Sequence, residues 1–200
     1  MNFINIQMKE IQEQRMRAYF IESTKGLLRS EGLKSVNVRS VAENAGYSYA
    51  TLYNYFKDLN ELVFECVKDF QGECETLITA KTGQLEPGKG KIAIIVQEYI
   101  TYFTEYPGIF ELFFTERMTN MGKQKSTSEL IYTFLDRLCD EEWTFCIYHG
   151  QLTTEEVVGK KKQLRYAVMG LLLFYLHRMQ PDSYADFSAE VNEQVNKIIG

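Results

Sequence analysis

Residues 38–56 read VRSVAENAGYSYATLYNYF, and this run decides the fold. Val38, Val41, Ala42 and Ala45 recur at the three-and-four spacing of one helical face. Asn37 stands ahead of them as a side chain suited to capping a helix start. Gly46 interrupts the pattern with a residue that enters left-handed turn geometry freely, and Ser48 caps a further short helix over 49–56. Two short helices joined by a glycine turn make a helix-turn-helix, whose second member fits the major groove of DNA. Ala42 and Ala45 are small where the two helices approach, while Val41, Leu52 and Phe56 form a seam toward a preceding helix. Tyr49, Ala50, Thr51, Tyr53, Asn54 and Tyr55 remain on or near the outer face, where hydroxyls and amides bond phosphate oxygens and base edges. A helix pair with a glycine turn also serves as plain packing in helical proteins, with Tyr53 or Tyr55 as packed aromatics.

The same periodicity extends in both directions. Upstream, about Met8 to Ser30 reads as a helix with Phe20, Thr24, Leu27 and Leu28 inward and Gly32 as its stop. Downstream, a fourth helix starts near Leu59 and carries Leu62, Val63, Cys66, Val67 and Phe70 on one side. The stretch from Gln84 to Lys91, with Pro87 and its neighbouring glycines, is a loop. Further helices are expected at 91–105, 107–119, 126–148, 154–179 and 184–199. Tyr106-Pro107-Gly108 and Gln180-Pro181-Asp182 mark breaks, because the residue before proline resists helical geometry. Alternation of period two is scarce, so the chain is expected to be all-α, with about nine helices. A three-helix DNA-binding domain at 1–58 is followed by a helical domain at 59–200.

The composition agrees. The 200 residues are 45% hydrophobic and 14% aromatic, enough for a packed core. The longest apolar stretch, around Leu171 to Leu176, is far too short to span a bilayer, and no basic region followed by an apolar stretch opens the chain. A cytoplasmic protein with no membrane partner is expected. The net charge of −5 is unevenly divided: residues 1–58 carry eight basic and six acidic side chains, the rest 14 and 21. A mildly basic head on an acidic body suits local phosphate contact with repulsion elsewhere. Cys66, Cys74, Cys139 and Cys146 form no CxxC pair, and read as buried reduced thiols or, alternatively, as redox sensors. His149 and His177 are too far apart in sequence to suggest a metal site, and no glycine-rich phosphate loop or nucleophile–base pairing is present. Neither a metal, a cofactor nor an enzyme activity is expected.

Over about residues 17–65 the sequence resembles the TetR family of bacterial transcriptional regulators. The resemblance rests on Arg17 and Phe20, Leu27-Leu28, Gly32, Val38, Val41-Ala42, Ala45-Gly46, Ser48, Thr51-Leu52-Tyr53, Tyr55-Phe56-Lys57 and Leu62, with TLYNYFK at 51–57 nearest the family signature. Three positions depart from the pattern: Ala50 replaces a common glycine, Leu59 a common lysine, and Asn37 a common Ser or Thr cap. The DNA-facing set is then Arg39, Tyr49 and Asn54 toward base edges or adjacent phosphates. Thr51, Tyr53, Tyr55 and Lys57 are expected on phosphates, with Asn37 and Ser48 at the helix starts and Arg17 reaching the backbone from the first helix.

Beyond residue 65 only the helical pattern agrees with the family. The resemblance implies a ligand cavity between helices of this region, and the aromatic residues are its natural lining: Tyr99, Tyr102, Phe103, Phe110, Phe113, Phe114, Trp143 and Tyr166, with Met169. Each also reads as ordinary helical core. The implied ligand is a small apolar or aromatic molecule. Tyr184, Phe187, Val191, Val195 and Ile198 form an apolar stripe that, with 157–179, is expected to build a homodimer as the family's dimers do; the alternative is that the stripe closes the subunit's own core. Together these readings describe a ligand-responsive repressor that binds a palindromic DNA operator as a dimer. An interaction protein of the same fold without operator binding, and a helical-bundle enzyme, are the alternatives.

Overall fold

The computed structural model describes the backbone of residues 2–115 and 125–200, and the side chains of 7–115 and 127–200. Among the described residues every regular element is helical: α1 (Asn2–Glu31), α2 (Val38–Asn44), α3 (Tyr49–Tyr53), α4 (Leu59–Thr82), α5 (Lys89–Glu105), α6 (Pro107–Phe110), α7 (Lys125–Tyr132), α8 (Phe134–Leu138), α9 (Asp140–Tyr148), α10 (Thr154–Arg178) and α11 (Tyr184–Ile199). None of them is long and apolar enough to cross a membrane.

Among the described residues eleven α-helices stand where about nine helices were expected. The stretch expected as one helix over 126–148 is bent twice, at Thr133 (φ −94°, ψ 0°) and Cys139 (φ −103°, ψ 5°). Its buried residues Ile131, Phe134, Leu135, Cys139, Trp143 and Cys146 keep helical spacing, so the apolar pattern does not register the bends. At the first bend the Thr133 hydroxyl donates to the Glu129 carbonyl at 2.8 Å, a back-bond that bends helices. The expected helix at 107–119 starts at Pro107 but widens to a π turn over Glu111–Thr115, and its remainder lies outside the described residues.

The chain divides into two packing units, Met1–Phe70 with Gly108–Ser128, and Gln71–Pro107 with Glu129–Gly200. In the first, Phe20 and Leu28 of α1 meet Val41 and Ala42 of α2, Leu52 of α3, Phe56, and Leu62, Val63, Cys66, Val67 and Phe70 of α4, all buried. Polar ties fix the α1–α2 contact: Ser23 donates to the Val41 carbonyl at 3.0 Å and Asn44 to the Ser23 carbonyl at 3.2 Å. Gly108 at the start of α6 permits a close approach to α1, since a Cβ there would lie 2.4 Å from the Leu28 carbonyl oxygen.

In the second unit α5, α10 and α11 pack on one another, with α8 and α9 against α5 and α10. Phe187, Val191, Val195 and Ile199 of α11 are buried within the subunit, and Tyr175 of α10 stacks on Phe187 at 4.0 Å and 10°. Of the stripe expected as a dimer surface, Phe187, Val191 and Val195 are covered within the subunit, where α11 packs on α5 and α10, while Ile198 is half-buried and Tyr184 is exposed. Glu142 of α9, 3% exposed, is paired with Lys91 at 2.8 Å and accepts the Gly88 amide at 2.9 Å, which anchors the start of α5 to α9. A buried carboxylate needs both partners, because an unpaired one is costly to desolvate.

All four cysteines are free and buried. Burial pushes the thiols of Cys66, Cys74 and Cys139 well above the ordinary range, which keeps them as thiols rather than reactive thiolates.

Gly108→Ala is expected to destabilise the protein by about 1–3 kcal/mol, because the added methyl meets backbone that cannot rotate away. Gly90→Ala, where a Cβ meets nothing within 4 Å, serves as the control. Urea unfolding of both variants checks this; equal midpoints would contradict the close approach.

Candidate nucleic-acid interface

The interface begins with two caps. The Asn37 carboxamide oxygen accepts the amides of Arg39 and Ser40, each at 3.0 Å, while Ser40 Oγ accepts the Asn37 amide at 3.1 Å. The Asn37 Nδ2 donates to the Ser35 carbonyl at 3.3 Å. Both ends of the carboxamide are thus engaged locally, and Asn37 acts by setting the start of α2. Ser48 plays the same part for α3, accepting the Thr51 amide at 3.1 Å with the Thr51 hydroxyl 2.9 Å away.

Between the caps, Gly46 takes φ 75°, the left-handed geometry that closes the turn without a Cβ clash. The Tyr47 amide then bonds back to the Ala42 carbonyl at 2.9 Å. Leu52 and Phe56 anchor α3 from beneath, with Phe56 edge-on to Phe20 at 6.3 Å.

What faces outward follows from what is anchored. Tyr49 is 61% and Tyr53 50% exposed, and Arg39, Asn54 and Lys57 are exposed as well. Among the described residues these five side chains make no internal hydrogen bond or ion pair. They supply two hydroxyls, an amide and two cations along the exposed surface of α2, α3 and the residues after it. Tyr47, 39% exposed with its ring 5.6 Å from Phe20, belongs beside them. Its one signal in the sequence is its place directly before the Ser48 cap. Tyr55 is half-buried, its ring 6.1 Å from Phe20.

Arg17 departs from expectation. Its Nη1 donates to the Tyr55 carbonyl, its Nη2 lies 3.2 Å from Glu61 Oε1, and its guanidinium carbon sits 4.2 Å over the Phe56 ring. The side chain expected on the DNA backbone is engaged inside the unit. A guanidinium offers several donors in a fixed plane, and this one meets two acceptors and a ring at once.

The aromatic residues expected around a ligand separate into groups. Tyr99, Tyr102 and Phe103 cluster in the second unit, with Tyr99 to Phe103 at 4.9 Å, Tyr102 to Phe103 at 5.5 Å and Tyr99 to Phe134 at 5.7 Å. Burial holds the Tyr99 hydroxyl well above its usual pKa, so it stays protonated. Trp143 is buried in the same unit and Met169 is half-buried. Phe110, Phe113 and Phe114 belong to the first unit, with Phe110 to Phe114 at 5.2 Å and Phe113 to Phe114 at 6.0 Å. Tyr166 is 56% exposed on α10. It lines an open groove of about 430 Å³ with Gly170, Leu171, Phe174 and Pro181, a surface position and not a place in the helical core.

Comparison with known proteins agrees with this geometry. Residues 20–66 match the family model described as bacterial regulatory proteins, tetR family. An uncharacterised HTH-type transcriptional regulator of Haemophilus influenzae is 22% identical over 135 residues, which take in 66% of each chain, just under two thirds of that relative's length. Among solved structures, the transcriptional regulator FadR of Bacillus subtilis in complex with stearoyl-CoA aligns with a TM-score of 0.71 at 14% identity, covering 92% of this chain and 97% of the other. RolR in complex with resorcinol aligns with a TM-score of 0.68 at 15% identity, covering 94% and 95%. At such identities the structural likeness establishes the fold.

Asn37→Ala removes the acceptor for two amides and is expected to cost about 1 kcal/mol of stability. Asn37→Ser or Asn37→Asp should retain most of it. Thermal unfolding checks the order, and an alanine variant as stable as the wild type would contradict the cap.

Proposed function

We propose that the chain is a TetR-family repressor of transcription, on the match of residues 20–66 to that family, that it binds a palindromic operator as a homodimer, and that it responds to a small apolar or aromatic ligand. One observation carries the DNA-binding reading. The scaffold's polar groups, Asn37, Ser48, Ser23 and Arg17, are satisfied within the fold, while Arg39, Tyr49, Tyr53, Asn54 and Lys57 stand exposed and unpaired among the described residues. Such exposed donors and acceptors are the groups that bond phosphate oxygens and base edges.

Each residue has a role by its chemistry. Arg39 offers a bidentate donor for guanine and Asn54 a matched donor and acceptor for adenine. Tyr53, Thr51 and Lys57 fix the register on phosphates, with Tyr49 between the two sets. Leu59 in place of a lysine leaves Lys57 as the cation at this corner. The domain reading of 1–58 for DNA and 59–200 for ligand and dimer follows the same division of labour, in the cytoplasm where the operator lies.

For the dimer, the open face of α10 supports a second copy of this chain. Tyr166, Leu173 and Phe174 are exposed there at 56%, 38% and 59%, around the groove described above. For the ligand, support comes from the relatives: one is bound to stearoyl-CoA and another to resorcinol. Within the second unit, the cluster of Tyr99, Tyr102 and Phe103 offers apolar surface of the matching kind.

The DNA reading is tested by binding to random duplex at low salt, where phosphate attraction acts without the right sequence. Selection from a random library should then return an imperfect palindrome with half-sites spaced by roughly 34–36 Å or somewhat more. Tyr53→Phe should weaken all sequences alike, whereas Arg39→Ala and Asn54→Ala should alter preference by about 1–3 kcal/mol at the bases they touch. A library that yields no dyad-symmetric site would overturn the model.

The dimer is tested separately. Tyr166→Glu with Phe174→Glu should sediment as a folded monomer and bind the operator poorly. Glutamate at Val191 or Val195 should instead unfold the subunit, since both are buried in it. A double variant that remains dimeric would move the interface elsewhere.

A further inference from the structure

The corner between α3 and α4 hangs from one cation on α1. Tyr55 lies past the end of α3, and among the described residues Arg17 is the group that pairs its carbonyl. A positive charge at that end of a helix is also favoured by the helix dipole. The second branch of Arg17 holds Glu61 in the first turn of α4 at 3.2 Å. Glu61 in turn reaches back: its Oε2 accepts the Lys57 amide at 2.9 Å, while its own amide donates to Asp58 Oδ1 at 2.9 Å. Residues 54–58 are thereby braced from both sides. They include Asn54 and Lys57, two of the exposed groups assigned to DNA.

Glu61 is an awkward neighbour for a phosphate backbone. Its side chain is 33% exposed and its carboxylate bonds directly to the amide of Lys57. Unneutralised, it would repel the phosphate that Lys57 attracts. Arg17 cancels that charge and turns the carboxylate into a brace.

Resting on the operator-binding reading above, we propose that Arg17 and Glu61 form a positioning pair for DNA recognition. Arg17 touches no phosphate. It fixes the direction in which Asn54 and Lys57 are presented, and it neutralises the Glu61 carboxylate that bonds the Lys57 amide. Lysine is a poor substitute, because one ammonium cannot span a carbonyl, a carboxylate and a ring as a planar fork does.

The experiment is binding of wild type, Arg17→Gln, Arg17→Lys and Arg17→Gln/Glu61→Gln to a fluorescent duplex across a salt series, with thermal unfolding of each. A lost charge-assisted contact of this kind should weaken Arg17→Gln by about tenfold. The slope of log affinity against log salt should stay at the wild-type value, because no phosphate contact is removed. The double variant should recover the part of the loss that comes from the unpaired Glu61 carboxylate, while the Tyr55 carbonyl still lacks its donor. A purely structural part for Arg17 would instead make the double variant no better than the single one. Arg17→Lys should be intermediate in affinity with the same slope, and it keeps the test decisive if Arg17→Gln unfolds. A slope reduced by about one unit would mark Arg17 as a phosphate ligand and overturn the proposal. So would absent recovery in the double variant, or wild-type affinity in Arg17→Lys. Failure of the wild type itself to bind duplex at low salt is a different result: it overturns the operator-binding reading, and the positioning pair with it.

Discussion

A helix of five residues cannot sustain itself in water, because the first turn fixes several dihedrals before hydrogen bonds reward them. α3, Tyr49–Tyr53, is such a helix. Its existence depends on being held. Leu52 and Phe56 are buried against Phe20, the Ser48 side chain accepts an orphan amide at its start, and Arg17 takes the carbonyl of Tyr55 beyond its end. Tyr49 and Tyr53 flank the buried Leu52 along this short helix and remain exposed at 61% and 50%.

The contrast between α3 and α11 shows what holds an amphipathic helix. Both present an apolar face at regular spacing, and in both that face is covered within the chain. α11 is 16 residues long and lies on α5 and α10 through Phe187, Val191, Val195 and Ile199. The open apolar surface lies instead on α10, where Tyr166 and Phe174 point away from that core. Apolar periodicity reports that a face is covered. It carries no information on what covers it.

Charge placement follows a similar logic. Glu142 and Glu61 are both carboxylates with a cation and a backbone amide for partners: Lys91 and Gly88 for one, Arg17 and Lys57 for the other. The first is buried and anchors a helix start, where losing a partner would leave an uncompensated charge. The second is a third exposed, so the same construction acts at the surface, beside the groups assigned to DNA.

Much of this was legible in the chain itself. The bounds of α2, the caps Asn37 and Ser48, the turn at Gly46 and the seam of Val41, Leu52 and Phe56 all follow from local rules, because capping, turn chemistry and helical period act over a few residues. The exposed character of Arg39 and Asn54 follows from the same period, whereas that of Tyr49 and Tyr53, which share helical spacing with Leu52 and Phe56, does not. The bends at Thr133 and Cys139 escaped, since burial keeps its spacing through them. The partners of Arg17 escaped as well: Tyr55 and Glu61 lie 38 and 44 residues away. Which face of α11 meets the core, and where Tyr166 sits, were likewise left to tertiary structure. Sequence alone determined which residues make helices, turns and an outward recognition face, because those depend on neighbours in the chain. Only the folded structure decided which charges pair and which apolar stripes are covered, because those depend on residues that the chain brings together from a distance.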